Sequence, residues 1–344
     1  MASSDKRIMS GMRPTGRLHL GHYFGALSNW VRFQSQYDSY FSIVDWHALT
    51  TKFQNTREVQ GHIWEIALDW LCVGIDPDAA TVYVQSAVPE IAELHLLMSM
   101  LTPHNWVERE PTLKDMVKML DSDESAAKEK ITYGLLGYPV LMTADILTFK
   151  GQLIPVGKDQ ESHLEFARDV CRRFNKLYDV DYFPEPKPEF TETPLLKGID
   201  GQKMGKSFNN DIKIADTESD TEKKVKQMIT DRTRLAKSDP GHTDLCEIPW
   251  PMYKVFAKDR PDYLAQVKNE CETPLIGCVD CKKRLAGEVN DFFRPFREKR
   301  ELLAADPDRV RKIIEHGNSK ARKVAKQTLS EVRDIMGMVN WNKD

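Results

Sequence analysis

The 344-residue sequence predicts a doubly wound α/β fold with a parallel sheet, followed by an all-helical region, and three stretches carry that expectation. Residues 8 to 22, IMSGMRPTGRLHLGH, pass from an apolar pair through a glycine- and proline-broken turn into a helix-like segment. Between residues 40 and 101, short apolar runs alternate with segments of helical period, as expected where helices cover a parallel sheet. After Asn210 charged sequence of helical period takes over. These patterns place an α/β domain over residues 1–212 and a helical domain over 213–344.

Ile8 and Met9 end a first buried strand, and His22 to Arg32 forms the first helix. A strand, a glycine turn and a helix N-terminus make a phosphate site, because the helix start offers unpaired N–H groups and the positive end of its dipole. Gly21 lets a base or ribose approach the backbone, and His19 and His22, three apart, share a helix face. Residues 40 to 45, YFSIVD, form a second strand, with His47 and Thr50 just past its C-terminal end, where open sheets bind ligands. Ile63, Ile66, Ala67, Trp70 and Leu71 stripe a helix over Thr56 to Val73, ended by Gly74. A strand over Thr81 to Gln85 and a helix over Pro89 to Leu101 follow.

Residues 104 to 131 are polar and charged, an excursion from the sheet that carries Lys114, Lys118, Lys128 and Lys130. An apolar helix over Val140 to Phe149 encloses Asp145, a costly placement unless the acid is paired or reaches solvent. The strand Gln152 to Val156 leads to the turn Gly157-Lys158-Asp159-Gln160 and another helix. Residues 215 to 236 have helical period, and 285 to 339 form two or three amphipathic helices.

An apolar fraction of 41% and a charged fraction of 29% describe a globular chain. No apolar run approaches the roughly 20 residues of a membrane span, and MASSDKR has no apolar signal region, so a cytoplasmic location is expected. The net charge of −3 means that a nucleic acid would need a local basic surface. Residues 282–344 supply one, with 16 Lys and Arg against 10 Asp and Glu. Cys72 and Cys171 sit in helix-like apolar patterns as core residues. Cys246, Cys271, Cys278 and Cys281 lie close in sequence, and one tight Cys-x-x-Cys pair with two further cysteines suits tetrahedral Zn²⁺ or an Fe–S cluster.

The run PTGRLHLGH resembles the HIGH signature of the class I aminoacyl-tRNA synthetases, and DGQKMGKSFNN at residues 200–210 resembles their KMSKS loop. GYPVLMTADIL followed by PVGKDQ is similar to the amino-acid pocket of the tryptophanyl-tRNA synthetases. The resemblance runs from about residue 8 to 210 and returns more weakly in the C-terminal helices. It implies a Rossmann-type catalytic domain, a helical anticodon-binding domain, a homodimer, and L-tryptophan, ATP with Mg²⁺ and tRNA(Trp) as partners.

By matching motif positions, the resemblance makes Asp145 the acceptor of the indole N–H, with Met9, Gly11, Val44, His47, Met142 and Val156 around the ring and Tyr138 and Gln160 on the ammonium. It assigns ATP to Arg13, His19, Gly21, His22, Lys114, Gly157, Asp159, Lys203, Met204, Lys206 and Ser207, with Lys203, Lys206, His19 and His22 as catalytic groups. Gly205 stands where the family has Ser, and Arg13 replaces a less charged residue before the proline. A distant Cys followed by x6 and x2 spacings is similar to a subset that carries a [4Fe-4S] cluster at Cys246, Cys271, Cys278 and Cys281, with Zn²⁺ as the alternative. Another adenylyl-transfer enzyme should lack the helical region. An RNA-binding or redox-sensing protein on a retired scaffold should have lost the histidines or loop lysines. No editing domain is expected, since smaller amino acids forfeit burial and the indole contact.

Overall fold

The structure, a computed structural model, describes residues 6–110, 131–156, 161–190 and 196–339, without the side chains of residues 161–163 and 207. The first half of the chain runs β1 (Arg7–Met12), α1 (Leu20–His22), α2 (Ser28–Phe33), β2 (Asp38–Ile43), α3 (Asp45–Lys52), α4 (Thr56–Cys72), β3 (Ala80–Val84), α5 (Glu90–Leu101) and α6 (His104–Glu108). It continues with α7 (Tyr133–Leu136), α8 (Tyr138–Thr148), β4 (Leu153–Val156), α9 (Glu161–Leu177) and β5 (Lys187–Phe190). Five helices follow: α10 (Glu218–Gln227), α11 (Pro249–Phe256), α12 (Pro261–Glu272), α13 (Cys278–Ala305) and α14 (Pro307–Ile335). No helix is long and apolar enough to cross a membrane, among the described residues.

Two compact units form, one of Met1–Thr15, Asn29–Glu192 and Asp306–Asp344, the other of Gly16–Ser28 and Thr193–Ala305. The first is built on a five-stranded, wholly parallel sheet of order β3-β2-β1-β4-β5. The order reverses between β1 and β4, and at such a switch point the carboxyl ends of the strands leave a crevice for ligand. Burial on both faces explains the largely apolar runs in β2 and β3, where Ser39, Ser42 and Thr81 are buried among apolar neighbours. Trp30 stacks on Phe41 at 4.6 Å and meets Trp70 edge-on at 5.1 Å. The α/β expectation holds, and one strand escaped it: β5, KPEF, is an edge strand whose proline argues against a strand in sequence but is tolerated at an edge.

The other edge is covered by α14. Val84 N–H donates to Asn318 Oδ1 at 2.9 Å, so an edge amide that would face solvent is satisfied by a side chain. A Cβ on Gly317 would lie 1.8 Å from the Val82 carbonyl oxygen, so only glycine lets the helix come this close. Arg322 pairs with Glu90 at 2.9 Å, and Arg333 donates to Glu93 at 2.6 Å. The last amphipathic helix thus packs within the sheet unit.

The second unit contains the signature turn and α10 to α13. In place of one regular helix from His22 to Arg32, α1 is a single turn followed by a π-helical turn over Tyr23–Leu27 before α2. Tyr23 and Phe24 both enter an aromatic cluster with Phe256, Phe292, Phe293 and Phe296, at centroid distances of 5.4 to 5.7 Å. Bulges of this kind recur where a helix must aim functional groups.

Candidate active site

In the second unit the signature turn caps itself. His19 is the N-cap of α1, and its Nδ1 accepts the Gly21 N–H at 3.1 Å. His22 Nδ1 accepts the His19 N–H at 3.2 Å, closing a reciprocal capping box. With each Nδ1 used as an acceptor, the proton of each neutral ring sits on Nε2, which becomes an N–H donor. The rings lie 3.8 Å apart, not on one helix face as the spacing suggests, because His19 precedes the helix. Burial pushes His19 down to about 4, with Asp211 opposing and Lys206 and Lys213 adding to the shift. Burial, then His19 and Lys206, hold His22 well below the usual imidazole range. Both rings are therefore neutral donors at physiological pH. A Cβ on Gly21 would meet His19 Cε1 at 2.9 Å, so this glycine makes room for the histidine cap.

The main chain joins the two motifs. Leu20 N–H donates to Ile212 O at 2.9 Å, Ile214 N–H to Leu18 O at 3.0 Å, and His19 bridges Lys213 antiparallel. Lys206 Nζ donates to the Gly16 carbonyl at 2.7 Å, which brings the second lysine of the loop onto the signature turn. Met204 is buried, and Lys203 is exposed. Asn210, 2% exposed, holds the loop: its Nδ2 donates to Asp200 Oδ1 at 2.9 Å and Lys203 O at 3.1 Å, and its Oδ1 accepts the Gly205 N–H at 2.9 Å. A Cβ on Gly205 would stand 3.1 Å from the exposed Phe208 ring, a tight contact that a small shift of that ring would relieve.

The sheet unit holds the other group of expected residues at the carboxyl ends of its strands. Asp145 is 2% exposed inside α8 and fully engaged by protein donors on one side. Gln85 Nε2 donates to its Oδ1 and Oδ2 at 2.9 and 2.8 Å, and His47 Nε2 meets Oδ2 at 3.0 Å. The acid pairs in the interior and does not reach solvent. Met9 and Val44 are buried, Tyr138 packs edge-on to His47 with centroids 6.2 Å apart, and Met142 and Val156 are half-buried. A Cβ on Gly11 would lie 2.8 Å from Val44 Cγ1, so this glycine admits the valine. Just past β1, Arg13 donates to Thr51 Oγ1, while its buried Nε has no partner among the described residues, and burial lowers its pKa. Lys114, Gly157, Asp159 and Gln160 lie outside the described residues, as does the side chain of Ser207.

Residues 1–294 match the family model described as tRNA synthetases class I (W and Y). The chain is a class I aminoacyl-tRNA synthetase of that family. Among relatives, this synthetase is 42% identical to a tryptophan–tRNA ligase of Borreliella burgdorferi over 98% of its own length and 95% of the relative's. It is 37% identical to the tryptophan–tRNA ligase of Aquifex aeolicus, over 96% and 100% of the two chains. A tryptophanyl-tRNA synthetase of Campylobacter jejuni, solved with ADP and tryptophan, superposes with a TM-score of 0.86 at 32% identity, covering 96% of this chain and 100% of that one.

Gln85 was not singled out in the sequence, where it reads as the last residue of a strand. A polar side chain at the carboxyl end of a parallel strand was the available signal. Asn210, at the end of the second motif, was likewise unassigned. Cys72 and Cys171 are buried, as expected. Cys246 and Cys281 are pushed up to about 11 and about 12, first by burial, and each is also raised by the charges of Cys271 and Cys278. The four thiols share one electrostatic neighbourhood and are the soft donors that iron–sulfur or zinc chemistry takes. The spacing led to the expectation of an assembled metal centre, but among the described residues no group of three or more His, Cys, Asp or Glu could hold a metal ion.

Proposed function

We propose that this synthetase activates L-tryptophan with ATP and transfers it to the 3′-terminal ribose of tRNA(Trp). The observation that carries the reading is Asp145, a carboxylate buried in an apolar helix with one acceptor position left over. An indole N–H only donates, and a carboxylate only accepts. The relatives named tryptophan–tRNA ligase, 36 to 42% identical, support the same substrate.

In the first step the tryptophan carboxylate oxygen attacks the α-phosphorus, the bond to the bridging oxygen breaks, and pyrophosphate leaves with that electron pair. No side-chain nucleophile is required, so the residues act by position and charge. His19 and His22 offer neutral Nε2–H donors to the phosphates. Lys203 and Lys206 stabilise the negative charge gathering on pyrophosphate, and the short-partnered Arg13 faces a phosphate or ribose oxygen. ATP arrives as its Mg²⁺ complex, and the ion supplies further charge neutralisation there. Gly21, Lys114, Gly157, Asp159, Met204 and Ser207 complete the nucleotide contacts; Met9, Gly11, Val44, His47, Tyr138, Met142, Val156 and Gln160 complete those to tryptophan. In the second step a ribose hydroxyl of the tRNA attacks the activated carbonyl and AMP leaves.

The basic stretch of residues 282–344 contacts the tRNA, and the enzyme works as a cytoplasmic homodimer. Cys246, Cys271, Cys278 and Cys281 would hold a [4Fe-4S] cluster, with Zn²⁺ as the alternative; four soft thiols close in sequence support this, together with the neighbouring thiol charges that raise Cys246 and Cys281, which a bound cation would relieve. The group supplies a structural staple. Iron, sulfide and zinc analysis of anaerobically purified protein tests it: about four irons per chain are expected, and neither iron nor zinc would remove the reading. Charging of a tRNA(Trp) transcript with labelled tryptophan tests the activity, and absence of a tryptophan-dependent acid-stable product would overturn it.

A further inference from the structure

Within the reading of Asp145 as the indole acceptor, on which this rests, we propose that Gln85 is the positioning residue that sets its selectivity for a ligand N–H. Gln85 is completely buried, and three hydrogen bonds fix it. Its Oε1 accepts the Trp46 N–H at 3.1 Å, which settles which end of the amide is oxygen. Its Nε2 therefore faces Asp145, 2.9 and 2.8 Å from the two carboxylate oxygens, so that one N–H is shared between them. Trp46 adjoins His47, whose Nε2 reaches Oδ2 of the same carboxylate. The ring of contacts Gln85–Trp46–His47–Asp145 closes on itself, and each member is anchored by another.

Counting lone pairs gives the consequence. A carboxylate has about four acceptor positions. Gln85 fills one on each oxygen, and His47 fills the second on Oδ2. One position remains, on Oδ1, and Gln85 fixes the rotation of the carboxylate about its Cβ–Cγ bond that aims it. Without the shared Gln85 N–H the carboxylate is held by His47 alone, at one oxygen, and is free to turn. Gln85 touches no substrate in this scheme and acts through Asp145.

The test compares tryptophan with β-(benzothiophen-3-yl)alanine, which has nearly the same shape and no N–H. The ratio of their kcat/KM values in ATP–pyrophosphate exchange reports the aim of the lone pair, not general packing. The unaltered enzyme should favour tryptophan by at least about 10²-fold, since a site built for an N–H is left unpaired by the isostere. In Gln85→Met that ratio should fall about tenfold or more, chiefly through KM for the amino acid, with KM for ATP unchanged. Gln85→Leu is the second variant: it keeps the volume, removes both donor and acceptor, and should lower the ratio as much. Equal use of both amino acids by the unaltered enzyme would mean that the pocket reading itself fails. Strong discrimination in the unaltered enzyme, kept by either folded variant, would overturn the role of Gln85 and leave the pocket reading standing.

Discussion

Asp145→Asn keeps the volume of the side chain and halves its acceptors, and its cost can be worked from the contacts. Three hydrogens converge on the carboxylate in the tryptophan complex: one from Gln85 shared by both oxygens, one from His47 and one from the indole. Asparagine offers two lone pairs and adds two N–H donors of its own. However the amide turns, donors then face donors, and the exchangeable indole contact is the weakest held. A hydrogen bond to a charged acceptor contributes about 1.5–3 kcal/mol, which corresponds to a fall of roughly 10- to 150-fold in kcat/KM for tryptophan. The assay is tryptophan-dependent ATP–pyrophosphate exchange at saturating ATP, with a denaturant melt to confirm folding. KM for ATP should not move, because neither Asp145 nor its partner Gln85 is assigned to the nucleotide. A folded Asp145→Asn enzyme with kcat/KM within about twofold of the parent would refute the acceptor role.

Other outcomes follow from the same geometry. Lys206→Ala removes the ammonium that reaches the signature turn, and activation should slow by about 10²-fold or more, read by exchange at saturating substrates. Gly317→Ala drives a methyl group into the Val82 carbonyl, so the urea midpoint should drop by the equivalent of at least about 1–3 kcal/mol; an unchanged midpoint would contradict the close approach of α14. His19 titrates near 4 in the folded chain against 6.5 when unfolded. Between those values the unfolded chain binds the extra proton, so this contribution to stability is complete above pH 6.5 and is lost as pH falls toward 4. His19→Asn keeps a capping acceptor without the titration, and urea midpoints measured from pH 7.5 to 5 should fall less steeply in the variant.

What could be read from the residues alone divides along physical lines. Buried parallel strands announce themselves through largely apolar runs, which is why YFSIVD and the run to Gln85 were found two residues and one residue downstream of β2 and β3. KPEF was invisible because an edge strand needs neither full burial nor every amide. The motifs marked two stretches that the chain does bring together, through Leu20 to Ile212, Ile214 to Leu18 and Lys206 to Gly16. Sequence also marked Asp145 as a residue that needed a partner. It could not supply Gln85, because that contact joins positions 60 residues apart and glutamine is unremarkable at a strand end. The role of α14 was hidden for a similar reason: its amphipathic period says that it buries one face, while only Gly317 against Val82 shows where.

The measurement that bears most directly on the central claim is ATP–pyrophosphate exchange with each of the twenty amino acids in turn, on the unaltered protein. A buried acceptor tuned to a ring N–H predicts exchange with tryptophan and only background with tyrosine and phenylalanine. Exchange driven by tyrosine in preference to tryptophan, or no exchange with any amino acid, would contradict the account.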